Sequence, residues 1–558
     1  MSRDACYVGF VGACRCLSVL VLLSHHWYKM ACSTSFLGKG HFVRGLRLRW
    51  DLLLVGCLLA VVMTASWAQS TSSAWLTDGR PNQLATEAVR YLELADADGL
   101  NPEHYLAGEL ARELELLQQP GAFDPVAASA FAQRLTAAMT QYLSDLALGR
   151  VTAREVYNDF DGADPRQFDA SLELRSAVDS GDVGVAVQRA RPTFPLYPAL
   201  RQALAQYQAI EQSAAWAQPL PMPNGRKLEE GGDYPALAVL RERLVLLGDL
   251  PESTLTPQTY NAVLVQGVEA FQRRHGLTVD GVIGPKTLAA LNVSPAERVS
   301  QIALSMERLR WTPLHQDERL IAVNLPGFML YGYEVDEQGQ VDVKVEMRVV
   351  VGRSLNHRTP VFDEDMLFIE FSPYWNIPPS IARGETIPAL RKDPEYLSKQ
   401  QMEFVDPSGN ASSEVTEQKI QAVLDGQLRI RQRPGDHNAL GAIKFIFPNN
   451  QNIFLHHTPS THLFARDRRD LSHGCIRVQE PVDLAKFVLE YDADWPEARI
   501  REAMDAGQSK TIRLKDPIPV LIGYSTVLAR NGEVFFYPDL YGHDATLIKA
   551  LARYQGLQ

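Results

Sequence analysis

Ser472-His473-Gly474-Cys475-Ile476-Arg477-Val478 holds the only cysteine beyond residue 57. Polar, cationic and Gly-flanked residues surround it on both sides, which suits a reactive position better than a core strand. The other five cysteines, Cys6, Cys14, Cys16, Cys32 and Cys57, all sit near the N-terminus. An exported protein with one unpaired thiol in its folded part has no disulfide use for it, so the sulfur is expected to react. The competing possibility, a small apolar core residue, is a common fate of free cysteines. Here His473, Arg477 and upstream His456 supply a base and positive charge, the neighbours that favour a thiolate nucleophile.

Export is read from the leader. Residues 5–50 contain no Asp or Glu, the stretch ends in Arg44, Arg47 and Arg49, and an apolar run from Leu52 to Val62 follows. That is a positive n-region feeding an h-region. Ser66-Trp67-Ala68 places small residues at the two positions a signal peptidase reads, which predicts cleavage before Gln69 and a periplasmic protein. The run is shorter than the roughly 20 apolar residues of a membrane span, so an uncleaved inner-membrane anchor is the second expectation for residues 1–68.

The 558 residues are 46% hydrophobic and 22% charged, enough for several cores, and the net charge of −11 with no long Lys/Arg stripe argues against a nucleic-acid partner. The expected class is multidomain α+β. Residues 75–230 read as a helical scaffold: Leu84, Ala88, Tyr91 and Leu92 share one face, and Phe131, Leu135, Met139, Tyr142 and Leu146 recur at intervals of three to four. Pro219, Pro221 and Pro223 mark a linker within 217–232. Residues 234–292 predict three short helices, with Gly276 in a capping position, a turn at Asp280-Gly281 and Pro285 opening the last helix.

From residue 318 to 505 the period turns to strands: Leu320–Leu325, Phe328–Tyr333, Val343–Val351, Met366–Phe371, Ala442–Phe447 and Asn452–Leu455. A mostly helical insertion at about 380–433 interrupts them and could overhang a site. Residues 506–558 are expected to form a C-terminal extension.

His456 lies 19 positions before Cys475. That loop lets a histidine at one strand end fold back on a nucleophile at the next and take its proton. Gly474 permits close backbone approach, so the N–H groups around Cys475, that of Gly474 among them, could face a developing oxyanion, worth roughly 3 kcal/mol per donor in comparable sites. Arg477 could orient a substrate carboxylate.

His456, the gap of fifteen residues, and Ser472-His473-Gly474-Cys475-Ile476-Arg477 resemble the signature of the YkuD-type L,D-transpeptidase catalytic domain. Phe371–Pro379 and Asn438–Phe445 support the resemblance. Phe271 to Leu288 resembles the three-helix peptidoglycan-binding module, and the order of parts is similar to the large periplasmic members. The resemblance implies a cysteine acyltransferase on peptidoglycan stem peptides. Cys475 would attack the third residue, usually diaminopimelate, release D-Ala and form a thioester, and a second stem would resolve it into a 3-3 cross-link. Attack by water would make a carboxypeptidase, and attachment of a lipoprotein to the wall would use the same site. By position the resemblance makes His456 the proton donor and acceptor, and His473 a supporting residue. His457 stands where large relatives commonly carry Asp. It also implies acylation by carbapenems, with no cofactor and no metal.

Two other classes compete with this reading. A zinc hydrolase could use His456, His457, His462, His473 and Cys475, but the spacings match no Cys/His zinc pattern and leave Gly474 and Arg477 unexplained. A non-catalytic wall-binding protein would use only the 234–292 module, and intact Cys475 and His456 argue against it.

Overall fold

The computed structural model describes residues 74–556 apart from 122–123, 158–159, 161, 163–167, 313–317 and 337. The leader expected over residues 1–68 lies outside the described residues. No helix among the described residues is long and apolar enough to cross a membrane.

The N-terminal region is helical, as its periodicity predicts. The longest helix, Pro125–Leu148, opens on Asp124, whose carboxylate accepts from the Val126 and Ala127 amides. Phe131, Leu135, Met139, Tyr142 and Leu146 all have 0% exposure, so the spaced stripe is the buried face. The 234–292 segment holds helices Leu237–Leu246, Ala262–Arg274 and Pro285–Leu291. Buried Gln272 clamps its Asp280-Gly281 turn, accepting from both amides and donating to Asp280 and to the Val282 carbonyl.

Between this module and the sheet runs the helix Pro295–Trp311, which the sequence reading did not pick out. It is built on a Ser294/Glu297 capping box, and its Glu307, Arg308 and Arg310 are buried. Each charge is paired: Glu307 with Arg150 at 3.2 Å and with Arg310 at 2.7 Å, Arg308 with Asp544 at 2.6 Å. Pairing is what lets such side chains enter a core. One continuous apolar core runs from Trp75 to Leu551 through scaffold, module and sheet.

The sheet has nine strands: β1 Arg319–Asn324, β2 Met329–Val335, β3 Val341–Gly352, β4 Phe362–Phe371, β5 Ile443–Ile446, β6 Leu455–His456, β7 Asp470–Ser472, β8 Ile476–Val478 and β9 Lys510–Gly523. Their order is β7-β3-β8-β6-β5-β4-β9-β1-β2, and β2 also pairs with β3, so eight strands close a ring with β7 attached beside the end of β3. Closure removes exposed strand edges.

One expectation is corrected here. β9 was assigned to a C-terminal extension, yet it lies between β4 and β1, antiparallel to the first and parallel to the second. Its charged start and two prolines disguise an interior strand, and a register shift between Arg513 and Ile518 takes up Pro517. After it come the hairpin Val527–Arg530/Glu533–Phe536 and the helix His543–Gly556. The insertion at about 380–433 holds more helix than strand, as expected, and its short strands Arg429–Gln432, Met402–Val405 and Ala411–Ser412 join Trp375–Asn376 in a small four-stranded sheet. It has its own small core around Phe404, Leu390 and Ile430.

Candidate active site

β6 and β8 are parallel neighbours in which Leu455 pairs with Ile476 and His456 with Arg477. On its other side His456 pairs with Lys444 of β5. Paired residues project to one face, so Lys444, His456 and Arg477 form a row across three strands. Cys475, two positions before Arg477 at the mouth of β8, shares that face by the period-two rule. The structure therefore brings Cys475, His456 and Arg477 together.

His456 is 4% exposed. Its Nδ1 sits 2.5 Å from the His457 carbonyl oxygen. A carbonyl can only accept, so Nδ1 carries the proton and Nε2 keeps its lone pair. Burial first, then the Arg477 charge, push this imidazole down to about 3. The half-buried Cys475 Sγ lies 3.6 Å from the Asn452 carbonyl oxygen. Burial pushes the thiol up to about 11, against the opposing pull of the Phe454 backbone, Lys444 and Arg477. The resting pair is a neutral thiol and a neutral base. The expected cation-stabilised thiolate is corrected: desolvating a sulfur anion costs more than the two nearby cations return.

The turn before the sulfur is closed internally. Ser472 Oγ donates to the Cys475 carbonyl at 2.6 Å and accepts from the Gly474 amide at 3.1 Å. Thr359 Oγ1 donates to the Gly474 carbonyl at 2.7 Å and accepts from the Gly352 amide at 2.9 Å. Gly474 has φ +121°, a conformation reserved for glycine, and a Cβ there would lie 3.2 Å from Ile453 Cδ1. Its need for glycine is thus conformational. Because its N–H is committed to Ser472, the oxyanion role expected for that amide is corrected too.

His473 is held elsewhere. Its Nε2 lies 2.7 Å from Glu385 Oε1 on the π-helical turn Ala382–Thr386 of the insertion, and its ring stands edge-on to His357 with centroids 4.8 Å apart. The insertion does reach the catalytic loop. Arg477 has a buried Nε without a hydrogen-bond partner, and burial and Arg353 lower its pKa. A free guanidinium beside the sulfur suits an anionic substrate group.

His457 acts twice. Its carbonyl fixes the His456 tautomer, and its own Nδ1 accepts from the Ala442 amide at 3.1 Å. Gly441, φ +62°, packs on this ring so closely that a Cβ would come within 2.4 Å of Nδ1. Sequence reasoning gave no role to Thr359, Glu385 or Lys444, whose site partners are distant in the chain. The module reaches the same region: Thr278 Oγ1 donates to the Asp467 carboxylate, within the segment joining His456 to Cys475. Among the described residues no three His, Cys, Asp or Glu side chains are placed to hold a metal ion.

The turn that carries the thiol thus stands beside a tautomer-locked histidine on a closed sheet. Residues 318–519 match the L,D-transpeptidase catalytic domain of the YkuD family. Residues 67–204 match a "Scaffold domain", and residues 234–291 a "Putative peptidoglycan binding domain". The chain thus carries a YkuD-family L,D-transpeptidase catalytic domain together with a peptidoglycan-binding domain.

A Haemophilus influenzae protein described as "Putative L,D-transpeptidase" is 31% identical over 244 residues, 44% of this chain and 48% of that protein. The chain therefore matches about half the length of this curated relative. Among solved structures, an L,D-transpeptidase from Xylanimonas cellulosilytica aligns at 16% identity over 55% of this chain and all of its own, with a TM-score of 0.17. A fused Zn-dependent amidase/peptidase with a peptidoglycan-binding domain from Clostridium acetobutylicum aligns at 12% identity over 48% of this chain and 94% of its own, with a TM-score of 0.16. Scores that low carry no weight for the fold or the chemistry.

Proposed function

We propose that this protein is a periplasmic L,D-transpeptidase that joins peptidoglycan stem peptides through a thioester on Cys475. The observation that carries the proposal is the locked tautomer: His456 Nδ1–H is spent on the His457 carbonyl, leaving Nε2 as a base on the face shared with Cys475. Nε2 takes the thiol proton as sulfur attacks the carbonyl of the third stem residue. With the Gly474 N–H bonded to Ser472, the amide of Cys475 itself is the backbone donor assigned here to the oxyanion. Collapse breaks the amide bond, and His456 returns its proton to the departing D-Ala nitrogen. The side-chain amine of a second stem then attacks the thioester, gives its proton to His456 and frees the thiol, forming a 3-3 cross-link between diaminopimelate residues. Water in place of the amine gives a carboxypeptidase; a lipoprotein amine gives attachment to the wall.

Neutral His456 and neutral Cys475 suit this sequence, because proton transfer accompanies attack and needs no standing ion pair. Arg477, free of an acidic partner, is suited to a stem carboxylate. Incubating wall material with the protein and identifying muropeptides by mass tests the proposal. Cross-linked dimers that vanish with Cys475→Ala are expected, and His456→Ala should cut the rate by about 100-fold or more. Equal product from parent and Cys475→Ala refutes it.

A further inference from the structure

Lys444 lies in the same row as the two site residues and has no part in the proton transfers above. In register it stands between His456 of β6 and Glu370 of β4. Its ammonium does not stay level with His456. Nζ lies 4.0 Å from the centroid of the Phe454 ring, two residues back along the strand, and Ile476, the residue after Cys475, donates its amide to the Phe454 carbonyl. The side chain thus leans from the histidine towards the level of the sulfur. Its carboxylate neighbour is loose: Glu370 Oε2 is 4.0 Å away and the same side chain accepts from Ser509 at 3.0 Å. Burial lowers the Lys444 pKa, and the charges of Glu370 and Cys475 raise it. The charges that act on the sulfur are Lys444 from β5 and Arg477 from β8; His456 of β6 stands in register with both, Arg353 after β3 acts on Arg477, Glu370 stands behind Lys444, and His473, two positions before the sulfur, is held by Glu385.

We infer that Lys444 is an electrostatic positioning residue whose ammonium, half-released from Glu370 and leaning over Phe454, stabilises the negative charge that develops on Cys475. The inference rests on Cys475 being the reacting atom of the proposed function. When the thiol proton passes to Nε2 of His456, the new sulfur anion meets the partly desolvated Lys444 cation that lies over the Phe454 ring. Glu370 tunes the effect by drawing the ammonium back.

Opposite signs test it. In the full-length protein, the pH dependence of iodoacetamide alkylation of the Cys475 peptide is followed by mass spectrometry for the parent, Lys444→Met, Lys444→Arg and Glu370→Gln. Lys444→Met should slow alkylation at pH 8 roughly tenfold and move the profile to higher pH, the scale of removing one nearby opposite charge. Glu370→Gln should speed it severalfold, and Lys444→Arg should stay near the parent. A packing role would slow both Lys444→Met and Glu370→Gln; that result, or no movement in either, overturns the inference. Muropeptide yield measured in parallel separates the two ideas. A parent that makes no cross-links while the alkylation shifts keep their opposite signs sinks the transpeptidase proposal and leaves Lys444 standing. An active parent with equal alkylation profiles does the reverse.

Discussion

Gly441→Ala should disable the site through a residue that touches neither the sulfur nor the substrate. A Cβ at 441 would lie 2.4 Å from His457 Nδ1 and 2.6 Å from its Cγ, about 1 Å inside ordinary contact. Backbone at φ +62° adds a cost of roughly 1 kcal/mol for a side chain in the left-handed region. Moving the ring breaks the Ala442 N–H to His457 Nδ1 bond, worth about 1 kcal/mol. The expected stability loss is about 2 to 3 kcal/mol, read from urea unfolding. Catalysis should fall further than stability. The His457 carbonyl holds His456 Nδ1–H at 2.5 Å, and displacing a catalytic group by about 1 Å can cost about 100-fold. The double variant Gly441→Ala/His457→Ala removes the colliding ring but keeps the backbone carbonyl, so its muropeptide yield should recover above the single variant. A fully active Gly441→Ala, or a double variant no better than the single, refutes the claim that His457 sets the base through its backbone.

Three further outcomes follow from the same geometry. Because His456 is held at about 3 in the folded chain against about 6.5 unfolded, the unfolded state binds the extra proton between those values, so this group's share of stability is lost as pH falls below 6.5. Between pH 7 and 5 the loss should be about 2 kcal/mol smaller in His456→Gln; identical slopes would show that the imidazole is not buried neutral. Thr359→Val keeps shape but removes the hydroxyl joining Gly352 to Gly474; it should cost about 1 to 3 kcal/mol in stability and raise KM less than it lowers kcat, whereas wild-type kinetics would remove Thr359 from the support of the turn. Incubation with a carbapenem should add one inhibitor mass to Cys475 in the parent and none in Cys475→Ala, measured on intact protein; a parent without adduct counts against an acyl-accepting thiol.

Much of the site was legible because it is local: the thiol turn and the histidine before it fall within one stretch, and strand register then makes them neighbours. The barrel strands with β-branched alternation, such as β3 and β5, were legible for the same reason. What escaped depends on distant partners. Pro295–Trp311 carries Glu307, Arg308 and Arg310, which look solvated in sequence and are buried only because Arg150 and Asp544 meet them. β9 opens with Lys510, Arg513, Lys515 and Asp516, a poor strand signal until β4 and β1 flank it. Thr359 speaks to Gly474 across 115 positions. The insertion's sheet uses strands of two to four residues, too short for alternation to register. The thiol's protonation was misjudged because sequence displays neighbouring charges but not the water that burial removes.

The placement of β9 bears on how the domain matures. The ring lacks its sealing strand until residues 510–523 have been made and paired with β1, some two hundred positions upstream. The nucleophile turn waits longer still, since Tyr541 Oη donates to the Gly352 carbonyl at 2.7 Å, next to the bond that seats Thr359. A nascent chain halted before residue 541 would hold Cys475, His456 and Arg477 and still lack the seat that shapes their turn. Long-range closure of this kind is slow, which delays a finished site until residue 541 has been made and docked.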